Sequence, residues 1–351
     1  VADNSHNPDD ILSAFIDSNS DAAVSSFFDI ETCVTPPGAD DVCIDTHCTP
    51  VAPLASRTGF ADNERLSERY CYLLDPLPGW PVIERPEVIY ETLIAEFPNF
   101  GEAIDYICSF ACISRHGKVP FTFPPLLLDG PPGIGKTRFA MRVAHLCNAG
   151  FDMLNCSGMS GTMALLGSEQ GYSEARAGFY ANTFKKTELI NNIILLDEVE
   201  KMGIDSRGGD PYAALLPLLE RETASVHMDN CLQESINLGY LSYIMTSNNT
   251  HAIPEPMMTR VRMLTIAAPD SSQLDRIVPG VIKDVTKRYN LGNLEFVPDM
   301  DEIRRVYRQN HNLRELQAVI EYQIRASLWQ PRSERIPYTR SVEKSAMGFG
   351  R

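Results

Sequence analysis

Between Gly130 and Thr137 the chain reads Gly-Pro-Pro-Gly-Ile-Gly-Lys-Thr, directly after the apolar run Leu126, Leu127 and Leu128. Glycines at 130, 133 and 135 carry no Cβ to obstruct a tight wrap, so successive N–H groups can converge on an anion. The next helix adds its positive N-terminus. Gly130, Pro131, Pro132, Gly133, Ile134 and Gly135 thus form a phosphate cradle, Lys136 supplies the counter-charge for β and γ phosphates, and Thr137 offers a hydroxyl to Mg²⁺. Phe139, Ala140, Val143, Ala144 and Cys147 follow at helical spacing. A strand, this loop and a helix in that order imply a parallel α/β sheet and a bound nucleoside triphosphate.

Four more short apolar runs share that grammar: Phe151 to Leu154, Ile193 to Leu196, Leu241 to Thr246 and Met263 to Ala267. Each is apolar on both faces, as buried parallel strands require. Helices with legible starts lie between them; Asp210 before Pro211 is an N-cap with proline at the first helical position. Five strands with crossover helices predict a three-layer sandwich whose ligands sit at the carboxyl edge of the sheet. After Pro269 the strands stop. Asp270 with Gln273, Asp299 with Glu302, and the series Leu313, Leu316, Ile320, Ile324, Leu328 mark three helices of a smaller domain.

The expected division is an acidic N-terminal region of unknown fold over 1–85, a large α/β subdomain over 86–269, a helical lid over 270–330 and a basic C-terminal tail over 331–351. Pro76, Pro78, Gly79, Pro81 and Pro86 punctuate the first boundary. A short amphipathic helix is expected around Ile11, Leu12, Phe15 and Ile16. The region as a whole reads as a small irregular domain or a partly mobile arm.

Charge and cysteine usage narrow the partners. A formal net charge of −15 argues against a nucleic-acid surface over the whole molecule. No apolar run approaches the roughly 18 residues needed to cross a bilayer, and Asp3, Asp9, Asp10 and Asp17 stand where a secretory signal carries bases. The nine cysteines lack a disulfide-like spacing, which suits a reducing, cytoplasmic location. Cys33, Cys43, His47 and Cys48 form the one cluster to weigh as a zinc site, although paired Cys-x₂-Cys knuckles are absent.

Asp197 and Glu198 stand at the end of the run Ile193 to Leu196, about sixty residues past the cradle. On a neighbouring strand, Asp197 would order Mg²⁺ and Glu198 would accept a proton from water attacking the γ phosphate. Asn248, after Thr246 and Ser247, would hold that water without competing for the metal.

This order of parts resembles the AAA+ ATPases and, within them, the ATPase module of Lon-type proteases, over about residues 95 to 325. The likeness rests on Leu195-Leu196-Asp197-Glu198-Val199-Glu200-Lys201-Met202-Gly203, on Arg207-Gly208-Gly209-Asp210-Pro211, on Thr246-Ser247-Asn248 and on Ile253-Pro254-Glu255-Pro256-Met257-Met258-Thr259-Arg260. The resemblance implies that Asn248 is sensor 1, Arg314 the sensor 2 arginine of the lid, and Arg260 an arginine finger serving the nucleotide of a neighbouring copy in a homo-oligomeric, usually hexameric, ring. It places Phe100 beside the adenine and Tyr172 on a pore loop that grips a polypeptide client. Two departures stand out. No acid precedes Arg260, and a second arginine, Arg262, is also a candidate finger; Tyr172 is followed by Ser173 and Glu174 where the family has an aliphatic residue and glycine.

A Lon-type enzyme carries a Ser-Lys peptidase domain after the lid, whereas about twenty residues remain here. The expectation is a Mg·ATP-dependent motor that remodels or threads proteins without its own protease. Two alternatives are an AAA+ ATPase acting on DNA or RNA, with Arg176, Lys185 and Lys186 lining a local groove, and an ATP-gated assembly switch. A separate partner could dock on the N-terminal region, or on the tail through Phe349.

Overall fold

A computed structural model describes residues 44–45, 51–55, 58–78, 82–170, 175–203, 208–292 and 294–329. In chain order these residues form β1 (Ile44–Asp45), α1 (Glu64–Tyr70), β2 (Val82–Ile83), α2 (Pro86–Glu96), α3 (Gly101–Gly117) and β3 (Leu126–Asp129). Next come α4 (Lys136–Leu146), β4 (Gly150–Asn155), α5 (Met163–Leu166), α6 (Phe179–Thr187), β5 (Asn192–Asp197), α7 (Pro211–Leu215) and α8 (Arg221–Ala224). They are followed by β6 (His227–Asp229), β7 (Glu234–Ile236), β8 (Ser242–Ser247), α9 (Glu255–Met258) and β9 (Arg262–Thr265). The chain then continues through α10 (Leu274–Arg288), α11 (Met300–Asn310) and α12 (Leu313–Leu328).

The five runs read as strands pair in the order β4-β5-β8-β3-β9, every neighbour parallel. Central β5 and β8 are buried almost end to end, while edge strand β9 keeps only Leu264 buried. Alternation at period two sorts their side chains between two cores. Leu127, Ile194, Leu196, Tyr243 and Met245 join one cluster, and Leu126, Leu128, Ile193, Leu195 and Ile244 join the other. Helices α2, α3 and α4 supply Leu93, Ile104 and Phe139 to the second cluster, completing the three layers.

The segment between residues 51 and 78 differs from its reading as part of a separate or mobile arm. Leu54, Leu66, Tyr70 and Leu73 belong to the first core with Ile194 and Met245. They are too few to make a core of their own, and they cover apolar surface beside α6 and β7 instead. Hydrogen bonds fix the seam: Tyr72 Oη donates to the Ala181 carbonyl at 2.6 Å, the Ala177 N–H donates to Tyr70 Oη at 3.0 Å and the Asn237 N–H donates to the Pro53 carbonyl at 2.8 Å. The α/β body therefore begins well before residue 86. The helix expected around Ile11 and the Cys33, Cys43, His47, Cys48 cluster lie outside the described residues.

The helix starting at Pro211 is shorter than its apolar series suggests. Asp210 caps it as read, accepting from the Tyr212 N–H at 2.9 Å, but Pro217 turns the chain into a 3₁₀ turn at Leu216–Leu218.

Helices α10, α11 and α12 pack as a bundle around Leu274, Ile277, Ile303, Tyr307, Leu316 and Ile320. Asp299 caps α11 as the sequence suggests, whereas the Asp270–Gln273 pair closes a turn just ahead of α10, whose N-cap Gln273 makes no side-chain cap hydrogen bond. The Asp270 N–H donates to Gln273 Oε1 and the Gln273 N–H returns to Asp270 Oδ1; Asp299 accepts from the N–H groups of Asp301 and Glu302. Tyr307 Oη bonds the Pro269 carbonyl at 2.7 Å and Arg138 of α4 pairs with Asp284 at 2.8 Å, so the bundle is tied to the α/β body. No helix among the described residues is long and apolar enough to cross a membrane.

Candidate nucleotide site

The parallel register brings the ends of three strands to one edge. Asp129 of β3 lies opposite Ser247 of β8, and Leu196, just before Asp197, lies opposite Met245. The loop after β3 wraps back as its glycines permit. Gly133 has φ +79°, and a Cβ there would collide with the Asn312 side chain; at Gly130 a Cβ would strike the Ile266 carbonyl. The cradle is therefore bounded by α12's N-terminus on one side and by the segment after β9 on the other. The Leu313 N–H donates to the Gly133 carbonyl at 2.8 Å, so the helical bundle touches the loop directly. Arg314, the next residue, is exposed at this junction.

Lys136 is buried, and its Nζ donates to the carbonyls of Gly130 at 2.5 Å and Pro131 at 3.1 Å and to Asn248 Oδ1 at 2.9 Å. Burial lowers its pKa, and the acids Asp129, Glu200, Asp197 and Glu198 oppose that shift. Asn248 also bonds Glu200 Oε1 through its backbone N–H at 3.1 Å and its Nδ2 at 3.0 Å. One amide thus joins the lysine to a second acid. Thr137 Oγ1 lies 3.3 Å from both oxygens of Asp197, and the Thr246 hydroxyl donates to Asp197 Oδ1 while accepting from the Glu198 N–H.

Glu198 takes a left-handed backbone, φ +58°, a conformation that non-glycine residues rarely adopt. Its side chain pairs with Lys201 at 2.7 Å. Arg260 lies away from this cluster, with Nε on Glu220 Oε1 at 2.6 Å and Nη1 on the Pro256 carbonyl at 2.9 Å. Arg262 is more exposed and reaches Glu102 at 3.4 Å.

The residues suit a magnesium nucleoside triphosphate. Gly133 and Gly135 hold positive φ in the loop, Asp129 Oδ1 and Glu200 Oε2 are buried without a hydrogen-bond partner among the described residues, and Thr137 with Asp197 offers the hard oxygen donors that Mg²⁺ prefers. Lys136, Thr137, Asp197, Glu198 and Asn248 come together as the sequence suggests. Phe100 does not join them. It is fully buried and stacks on Phe139 at 4.5 Å with Phe97 edge-on, so its ring faces are spent on the core and the expected adenine contact is corrected to a packing role. Tyr172 lies outside the described residues. Asp129, Glu200 and Thr246 were given no role from sequence; the signal that could have found them was an acid or hydroxyl at a strand end facing the cradle.

The model of the ATPase family associated with various cellular activities (AAA) matches residues 126–268, the stretch that builds this edge. Residues 126–268 are thus similar to an AAA domain. The chain is Lon-like: the mitochondrial Lon protease homolog of Bos taurus is 36% identical over 226 residues, 60% of this chain and 23% of that protein. Lon protease 1 of Syntrophobacter fumaroxidans is 33% identical over 202 residues, 56% of this chain and 24% of its own length. The mitochondrial homolog of Kluyveromyces lactis is 26% identical over 279 residues, 78% of this chain and 24% of that one. The chain spans about a quarter of the length of these relatives. Among solved structures, a closed-state cryo-EM reconstruction of Hsp104 with ATPyS and FITC casein covers 70% of this chain and 47% of its own, with TM-score 0.58 and 19% identity. That likeness concerns the AAA fold.

Proposed function

We propose that this protein is a Mg·ATP-dependent AAA+ motor that hydrolyses ATP in a ring of identical copies and threads or remodels polypeptide clients. The observation that carries the reading is the convergence of Lys136, Thr137, Asp197 and Asn248 at one sheet edge, against a helical bundle that touches the loop. Residues 86–269 and 270–330 act as ATPase body and lid, and the segment from residue 51 extends the body.

In this reading the loop N–H groups and Lys136 bind the phosphates, and Thr137 and Asp197 hold the metal. Bound Mg²⁺ would neutralise charge on the phosphate oxygens. To bind them, Lys136 must exchange its carbonyl partners for phosphate oxygens, and Glu198 must leave Lys201 before it can take a proton from water. Asn248 orients that water, Arg314 reports on phosphate from the lid, and Arg260 serves the neighbouring copy's nucleotide, which makes a ring, by family resemblance a hexamer, part of the site. A polypeptide client is favoured by the Lon-like relatives and by the casein named with the Hsp104 reconstruction. Free thiols throughout the described residues suit a reducing compartment such as the cytoplasm.

The decisive experiment pairs Glu198→Gln with client titration. The variant should bind ATP normally and lose about 10²- to 10⁴-fold in turnover; undiminished hydrolysis would refute the role of Glu198. Stimulation of the native protein by casein, and none by single-stranded DNA, is the expected client response; the reverse would favour the nucleic-acid reading.

A further inference from the structure

Arg260, its side chain one-third exposed, is held at two points. Glu220 takes its Nε at 2.6 Å and the Pro256 carbonyl takes Nη1 at 2.9 Å, while Nη2 has no hydrogen-bond partner among the described residues. Both supports are rooted in short, hydrogen-bonded turns. The Glu220 carbonyl accepts from the Ala224 N–H at 2.8 Å at the start of α8, and the Arg260 N–H donates to the Met257 carbonyl at 3.0 Å at the end of α9. The guanidinium is planar, so fixing two of its nitrogens fixes the direction of the third. Arg262 lacks such support: its side chain is 59% exposed, and Glu102, 3.4 Å away, is itself 67% exposed.

We propose that Glu220 is the positioning residue of the arginine finger. With the Pro256 carbonyl it orients Arg260 so that Nη2 is the edge offered to the neighbouring copy's phosphate, and this assigns the finger to Arg260 rather than Arg262. The inference rests on the reading of Arg260 as a finger in trans. A surface ion pair contributes little to stability, so the contact's value lies in orientation, where a misplacement near 1 Å can cost on the order of 10²-fold in rate. Glu220 touches no reacting atom in this scheme; it acts only through Arg260.

Steady-state ATPase of the full chain tests this with Glu220→Ala, Glu220→Gln, Arg260→Ala and the double variant Glu220→Ala/Arg260→Ala. Glu220→Ala should lower kcat about 10- to 100-fold with KM little changed and thermal midpoint unmoved. Glu220→Gln keeps an acceptor oxygen for Nε and should recover most of the rate. The double variant should be no slower than Arg260→Ala, because the two act as one unit. A Glu220→Ala kcat within about twofold of native, a rise in kcat, or an additive loss in the double variant would each overturn the inference. If Arg260→Ala itself leaves turnover intact, the finger reading fails instead, and the two failures are thereby told apart.

Discussion

The cradle and the Arg260 corner are built on opposite principles. Around the cradle, Lys136 is buried under three acceptors, Asp197 is held by two hydroxyls, and Asn248 joins the lysine to Glu200. At the corner, Arg260 stands one-third exposed beside a half-exposed Glu220. A buried lysine satisfied by carbonyls awaits a ligand that replaces them inside its own chain. A partly exposed arginine with one edge left over is arranged for something outside it. Under the proposed function the contrast teaches that binding and turnover should separate by mutation, with cradle variants losing nucleotide and corner variants losing rate.

The sharpest way to break the contrast is Arg260→Ala. It should cost about 10³ to 10⁵ in kcat, roughly 4 to 7 kcal/mol, while nucleotide affinity measured by fluorescence titration stays near native. Loss of affinity instead would merge the two regions. Lys136→Ala should do the opposite, weakening nucleotide binding by about 2 to 5 kcal/mol, as loss of one partner of a buried charge contact does, and an unchanged dissociation constant would contradict it.

Core perturbations should reach the cradle side only through folding. Leu66→Ala empties a buried site in the first core and should lower unfolding free energy by about 2 to 5 kcal/mol in urea titrations, leaving kcat of the folded fraction unchanged. A loss of under roughly 0.5 kcal/mol, the surface range, would mean that the segment from residue 51 is not part of the body.

A further effect, spread over the acid range, is a pH dependence. His227 is buried against Tyr180 with Nε2 unpartnered among the described residues, and burial holds its pKa down to about 4, below the ordinary 6.5. As pH falls below 6.5 the unfolded chain takes up the proton first, so the stability present above 6.5 drains away toward pH 4. His227→Phe should flatten that part of the midpoint-versus-pH curve; an identical slope would exclude His227 as its source.

Much of this was legible in the chain itself, for physical reasons that differ by residue. The five strands announced themselves because buried parallel strands are apolar on both faces, and Gly130, Gly133, Lys136 and Thr137 because few other residues permit a phosphate wrap. The caps at Asp210 and Asp299 were readable because their partners lie within three residues. Contacts set by tertiary packing were not readable. Phe100 has the composition of a base-stacking aromatic, and only the nearby Phe97 and Phe139 make it a core residue. Leu54 and Leu73 sit in acidic, proline-punctuated text, yet their burial depends on a sheet formed some fifty or more residues later. The Glu220–Arg260 pair spans 40 residues with no local pattern to betray it.

The most direct test of the central claim, that a complete site needs two copies, mixes Lys136→Ala protein with Arg260→Ala protein. Each is expected to be nearly inactive alone; after subunit exchange, verified with differently labelled copies, ATPase activity should reappear because some interfaces then carry an intact Lys136 facing an intact Arg260. Co-assembled mixtures that remain as inactive as the separate variants would contradict the account.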